Sequence, residues 1–498
     1  MKILLIRPPQ YVNRSYCPYY AEPPLGIGYL AQAATRGGHT VKIIDAIAEY
    51  PFQYTTIDGR PGVLRVGASD IQIAESAFTF KPDLIGISAL FVTLAPSVGL
   101  LTAALKKRLP NIPIVLGGPL PSSMPNLIDD PNVDYLAIGE GEELLLELAG
   151  GNPVATILGL IYKDQNGLPQ RNPRRPPVKN IDVHDWPRRD AWSSDYNQYF
   201  LEFLAQQWRK MFRFPLPRIP GRDSLLAAGF NAMYRFAAFP TISIVTSRGC
   251  PYSCSFCAIG NVWERRYRMR SAQSVLDEID YWAVQEKIKH IQIVDDNFTL
   301  NRERTVEICQ EIIRKKYRLS FAANSGLHVH HLDDEIIGLL RKVGFTKIGL
   351  GIESASERVQ SEIIGKKVDL NRARDVIRSC RKHGIYVQGF FVFGFPGETE
   401  QDRSDSLSFI KTSGLNDARV YTCQPIPGSP IYEDAVRRNI LADNYDPVNT
   451  LVTGSVNYFI RDAEEQRKFQ QFMREARIEL KRTGLFQGRI ELSDESIP

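Results

Sequence analysis

Three cysteines crowd into eight positions of the run Ser247-Arg248-Gly249-Cys250-Pro251-Tyr252-Ser253-Cys254-Ser255-Phe256-Cys257. Soft thiolates suit iron–sulfur clusters and zinc, and three of them without a fourth nearby leave one coordination site open, which is what a reaction needs. A structural zinc normally closes with four ligands, and no Cys or His follows this loop before His290. The chemistry that fits is a metal cluster able to bind a small molecule; the rival is a zinc-stabilised scaffold.

Other polar and glycine-rich runs stand at the ends of predicted strands. Asp295-Asp296-Asn297-Phe298 is one, Gly349-Leu350-Gly351-Ile352-Glu353-Ser354 a second, and Gly389 to Thr399, containing Phe393 and Gly394, a third. The competing explanation for the carboxylates is loop capping, and for the glycines tight turns. His328, His330 and His331 follow a strand without carboxylates or cysteines at ligand spacing, so a surface turn is the expectation. Cys423 ends a strand beside Tyr421 and Gln424 and could face a substrate, whereas Cys17, Cys309 and Cys380 are not expected to be ligands.

The elements that must position these residues alternate between strand and helix. In residues 1–150, apolar runs at Ile3–Ile6, Val41–Ile44, Leu84–Ser88, Ile114–Leu116 and Tyr135–Ile138 alternate with helical patterns, the signature of a doubly wound parallel sheet. Ligands of such sheets sit at the carboxyl ends of the strands. Residues 151–240 read as a linker with a hairpin at Gln165-Asn166-Gly167, followed by an aromatic and arginine-rich insertion. From 241 to 434, six strand and helix units predict a partial (β/α)6 barrel whose active site lies at the strand ends. Residues 435–498 form a small helical segment, in which Phe469, Phe472, Met473, Ala476 and Leu480 follow core-packing spacing.

Composition sets outer limits. The 498 residues are 43% hydrophobic and 23% charged, the balance of a folded chain of several domains. A net charge of +5 leaves no broad footprint for nucleic acid. Seven cysteines are too sparse for a disulfide framework and point to a reducing compartment, the cytoplasm. Leu84 to Leu105 holds no charged residue, but Pro96 and several polar residues break it, so a strand, a loop and an amphipathic helix are expected there rather than a membrane span.

The C-x3-C-x2-C spacing after the first strand of a partial barrel resembles the radical S-adenosylmethionine (SAM) superfamily, as do the strand-end runs above and Tyr267-Arg268-Met269-Arg270-Ser271. The resemblance implies that Cys250, Cys254 and Cys257 hold a [4Fe-4S] cluster whose fourth iron binds SAM. It implies that Phe256 shields the cluster or packs on adenine, and that Asp295, Asp296 and Asn297 accept bonds from the SAM ammonium. Glu353 and Ser354 would bond ribose, and the backbone around Phe393 and Gly394 would cradle adenine. Several relatives carry an arginine after the third strand, where this chain reads Ala323-Asn324-Ser325-Gly326-Leu327. The implied chemistry is one-electron cleavage of SAM and hydrogen abstraction by the 5′-deoxyadenosyl radical.

A doubly wound domain ahead of such a barrel resembles the cobalamin-binding subfamily. The residues that carry this are Pro23 to Leu30, Gly117-Gly118-Pro119 and Gly139-Glu140-Gly141-Glu142. No Asp-x-His-x-x-Gly run supplies a histidine to cobalt, and His39 reads as a turn residue. The absence of G-x-G-x-x-G after the first strand sets aside a dinucleotide site. The resemblance implies a methyltransferase acting on an unactivated carbon (or phosphorus) of a natural-product or lipid intermediate, with a flavodoxin or ferredoxin type one-electron reductant as partner. Ring closure or rearrangement without methyl transfer is the rival. A methylthiotransferase-like RNA modifier fits less well, since Cys17 stands alone in the first domain. The insertion over 195–236 has two readings, aromatics packed on a neighbouring domain, or a lid or membrane-surface element that admits a large apolar substrate.

Overall fold

The computed structural model describes residues 1–14, 22–50, 52–60, 62–188, 241–448, 450 and 456–486. The aromatic insertion and Cys17 lie outside the described residues. In the first half the strands are β1 (Lys2–Arg7), β2 (Gln10–Asn13), β3 (Thr40–Asp45), β4 (Tyr54–Thr56), β5 (Val63–Val66), β6 (Leu84–Ser88), β7 (Ile114–Gly117), β8 (Tyr135–Ala137), β9 (Leu160–Lys163) and β10 (Pro169–Arg171).

Seven of these form one sheet in the order β10-β9-β8-β7-β6-β1-β3, with β3, β1, β6, β7 and β8 parallel. The chain steps from β1 to β3 on one side and then to β6 on the other, so the order reverses beside β1, and a ligand crevice opens at such a reversal. Side chains of one strand alternate between two cores. Leu4 and Ile6 join the helices Asp70–Phe80 and Ala95–Arg108, while Ile3 and Leu5 join Leu25–Arg36 and Glu142–Ala149. Burial on both faces explains why these strands read as unbroken apolar runs.

Two features depart from the sequence expectation. The hairpin of β9 and β10 is not a free linker but extends the sheet, β9 running antiparallel to β8. Between residues 10 and 66 a second sheet forms, in the order β2-β5-β4. Its strands have three or four residues each, too short for a readable period. The uncharged stretch from Leu84 to Leu105 resolves into β6, a turn and the helix Ala95–Arg108, as expected, and among the described residues no helix is long and apolar enough to cross a membrane.

The second half supplies β11 (Thr241–Ile244), β12 (Ser247–Arg248), β13 (Arg268–Met269), β14 (His290–Ile293), β15 (Ser320–Leu327), β16 (Phe345–Glu353), β17 (Tyr386–Phe393) and β18 (Asp417–Thr422). Six of them form a parallel sheet in the order β11-β14-β15-β16-β17-β18, while β12 and β13 make a two-residue antiparallel pair beside it. Ser271, Asn301, Asp333, Asp369 and Thr399 each accept a backbone N–H at the start of the next crossover helix, so each helix has its entry encoded locally. The core that holds Ile3 and Leu5 continues into this sheet through Ile242, Ile244 and Ile291. The helix Ala463–Arg482 buries Phe469, Met473, Ala476 and Leu480 against the barrel.

Gly118, just after β7, sits at φ 100° and ψ −170°, a region open essentially to glycine alone, and a Cβ there would lie 2.7 Å from the Ala89 carbonyl oxygen. Gly118→Ala is expected to cost about 2 kcal/mol of stability. Gly99→Ala, inside the helix Ala95–Arg108 with nothing nearer than 3.7 Å, is expected to add about 0.5 kcal/mol. Urea unfolding midpoints of the two variants check the opposite signs.

Candidate active site and cofactor cavities

The cysteine loop leaves β12 directly, and the end of β14 holds it there. The carboxylate of Asp295, fully buried, accepts from the Thr246 amide (2.6 Å), the Thr246 hydroxyl (2.5 Å) and the Ser247 hydroxyl (2.6 Å). Asp296 accepts from the Gly249 amide at 3.1 Å. These bonds fix the backbone immediately before Cys250. Asp295 is thereby engaged at both oxygens and does not line the cavity, contrary to the expectation that it meets a ligand ammonium. Asp296 and Asn297 do line it.

Cys250, Cys254 and Cys257 are free thiols around one cavity of about 350 Å³ at the barrel mouth, with Phe256 between the last two also on its wall. Burial pushes all three thiols up, Cys254 to about 11. The site therefore suits thiols that give up their protons to a metal rather than free thiolate nucleophiles. Among the described residues no three of His, Cys, Asp and Glu close around a single metal ion. A multi-iron cluster spreads its ligands further apart, so the donor set fits a cluster.

Glu353 lies on the same wall, at the end of β16, where the ladder to β17 slips by a residue and φ is 67°. The other predicted residues lie elsewhere. Ser354 is buried against Ser406, with its hydroxyl also accepting from the Ser356 amide. Phe393 packs on Phe472 at 5.6 Å between ring centroids. Gly394 accepts from the Asn457 side-chain amide at 2.7 Å and lines a separate groove against the C-terminal segment. β17 and its loop thus turn toward that segment, which the motif alone could not reveal. Cys423 is enclosed by Phe395, Val359 and Ile364 and does not face the cavity.

Sequence reasoning missed two groups here. His328, expected in a surface turn, is 3% exposed, lines the cavity and stacks on Tyr252 at 4.4 Å. Burial and the nearby Lys366 push its imidazole down to about 3, so it is neutral at physiological pH. Lys366 also lines the cavity and donates to the Gly351 carbonyl (2.6 Å) and the Glu353 carboxylate (2.9 Å). The available signal was the pair Gly349 and Gly351 inside a strand, since such glycines mark close approach.

A second cavity, about 310 Å³ and mainly apolar, opens where the order of the first sheet reverses. Gly117, Gly118, Gly139 and Glu140 line it from the strand ends, and Arg248, Trp263 and Asp296 from the barrel. Asp296 is on the wall of both cavities. Among the described residues no histidine lines this one. Its glycine-edged floor lets a flat group approach backbone closely, which fits a corrin ring.

Buried ion pairs join the two halves. Arg248 pairs with Glu140 at 2.8 Å and with Glu142 at 2.6 Å, and Arg268 pairs with Glu140 at 2.7 Å. All four side chains are under 9% exposed. Burial pushes Glu142 up, but the guanidinium of Arg248 and the nearby His184 outweigh it and hold the carboxyl at about 2. Arg248 also lies over Tyr29 at 5.0 Å. Glu140 was expected to touch cofactor; its carboxylate is instead occupied by the two arginines and the Val178 amide.

A family model of the B12 binding domain matches residues 16–149, and one of the Radical SAM superfamily matches residues 244–410. The chain is 30% identical over 448 residues to an uncharacterized methyltransferase of Pyrococcus horikoshii, covering 89% of this chain and 84% of that one. The chain belongs to the cobalamin-binding radical SAM enzymes. Another relative is cytidylyl-2-hydroxyethylphosphonate methyltransferase of Streptomyces wedmorensis, 27% identical over 464 residues, or 90% of this chain and 84% of the relative. The fold matches the solved structure of the radical SAM methyltransferase TsrM of Kitasatospora setae with cobalamin and a [4Fe-4S] cluster, at TM-score 0.68 and 18% identity over 100% of this chain and 92% of that one. The cofactors of a cobalamin-binding radical SAM enzyme are a [4Fe-4S] cluster, SAM and cobalamin.

Glu140→Gln takes from the buried Arg268 its carboxylate partner and leaves Arg248 with Glu142 alone, and is expected to cost about 3 kcal/mol in urea unfolding and to lower retention of hydroxocobalamin. Glu143→Gln removes only a half-exposed pair with Arg175 and is expected to cost less than about 1 kcal/mol.

Proposed function

We propose that this enzyme is a methyltransferase that modifies an unactivated carbon, or a phosphorus, of a small natural-product or lipid intermediate. The observation that carries this reading is the single wall, Asp296, shared by the cysteine cavity and the apolar cavity at the strand ends. A substrate atom beside that wall can be reached from both cofactors. The relatives named as methyltransferases support methyl transfer over ring closure.

In this reading Cys250, Cys254 and Cys257 hold the cluster, with Phe256 shielding it. Asp296, Asn297 and the outer oxygen of Glu353 orient SAM by hydrogen bonds. Gly117, Gly118 and Gly139 let cobalamin lie close to the strand ends, and Glu140 acts indirectly by clamping the barrel to that floor. The cluster and SAM supply a hydrogen-abstracting radical when bound, and cobalamin supplies the methyl group. The chain excludes water from both cavities with apolar walls and holds the reacting partners in register. A flavodoxin or ferredoxin type protein serves as electron donor.

Anaerobic, reconstituted enzyme given methyl-labelled SAM and candidate substrates is expected to release 5′-deoxyadenosine and labelled product. Cys254→Ala is expected to lose iron and both products. An unlabelled, cyclised or rearranged product would replace the methyltransferase reading with its rival.

A further inference from the structure

Among the described residues, Lys366 is the single lysine or arginine that lines the cysteine cavity, and its side chain is 9% exposed. An ammonium held out of water is costly unless its donors are satisfied and its charge is met. Two of its three donors go to the Gly351 carbonyl and to Glu353, and the third has no partner among the described residues.

The backbone is built around this side chain. Gly365 and Lys367 on either side both have positive φ, 73° and 55°, forming a tight turn about Lys366. The turn is tied to the cysteine loop, because the Ser255 amide donates to the Ile364 carbonyl at 2.9 Å. It is tied to the Glu353 strand by Gln360, which is 2% exposed and donates to the Ile352 carbonyl at 2.5 Å and the Ser354 carbonyl at 2.6 Å. The same Gln360 accepts from the Gly365 amide through its own carbonyl. Gly351 completes the fit, since a Cβ there would stand 2.5 Å from the Lys366 ammonium.

We propose that Lys366 sets the reduction potential of the cluster held by Cys250, Cys254 and Cys257, and that Glu353 moderates it. This rests on the cluster assignment made above. Reduction adds one electron from an external one-electron donor and takes up no proton, so the cluster gains one negative charge beside a fixed positive one. A buried cation stabilises the reduced form and raises the potential, and its paired carboxylate takes back part of that effect. Lys366 is a positioning residue, since its influence passes through the field at the cluster.

The test is a redox titration of the full chain, reconstituted anaerobically and followed by the electron paramagnetic resonance signal of the reduced cluster, without SAM. Lys366→Gln is expected to shift the midpoint to more negative potential, Lys366→Arg to keep it near wild type, and Glu353→Gln to shift it positive, each with wild-type iron and sulfide content. A wild-type midpoint in Lys366→Gln, or an equal shift in Lys366→Gln and Lys366→Arg, would overturn the proposal. Should Lys366→Gln fail to take up a cluster, Glu353→Gln decides, an unmoved midpoint refuting the role of the pair. A wild-type protein that binds no iron would instead refute the cluster assignment itself.

Discussion

Four buried charges hold the two halves of this enzyme face to face. Arg248 stands two residues before Cys250, Glu140 stands in the turn after β8, and Glu142 opens the helix that follows it. Their pairing therefore links the cysteine loop to the floor of the apolar cavity through a few covalent bonds on each side. Burying such groups contributes less to stability than apolar side chains of equal volume would, so geometry is the better account of their presence. With Arg268 added, Glu140 is engaged at both oxygens, and neither arginine can move without leaving a charge unmet in a buried interface.

The apolar core makes the same constraint wider. One contiguous cluster runs from Ile3 and Leu5 in the first sheet to Ile242, Ile244 and Ile291 in the second. The halves share an interior, so their relative position is set by packing as well as by charge. That is what allows one residue, Asp296, to serve as a wall of two cavities. It also explains why its neighbour Asp295 is spent on hydrogen bonds to Thr246 and Ser247: the loop between the cavities needs an anchor at its base.

Much of this was legible in the sequence, and the reasons differ by residue. Strands buried on both faces, such as Ile3–Ile6 and Tyr386–Phe393, read as apolar runs, and the cysteine spacing is local chemistry that survives any fold. Asp295, Ser354, Phe393 and Gly394 were placed at the site because they stand at strand ends, but a strand end only puts a residue near the mouth. Which way a side chain turns depends on partners distant in sequence, Ser406 for Ser354 and Asn457 for Gly394. His328 and Lys366 were missed for the same reason in reverse. Each is an ordinary polar residue in a turn until Tyr252 stacks on one and Gly351 makes room for the other.

The distribution of charge around the cysteine cavity follows from these placements. Among the described residues, its charged wall consists of Asp296 and Glu353 opposed by Lys366, with the cysteines and the phenols of Tyr252 and Tyr421 between and the buried imidazole of His328 kept neutral. If His328 were charged, a second cation would stand beside Lys366 in a space with little water to screen it, and the balance set by Glu353 would be lost. Burial and the nearby Lys366 keep the ring uncharged, so among the described residues the field at the thiols is governed by one lysine and two carboxylates whose positions the backbone dictates. The chain's modest net charge of +5 is no guide to this, because the electrostatics that matter are arranged over a few ångströms inside the barrel mouth.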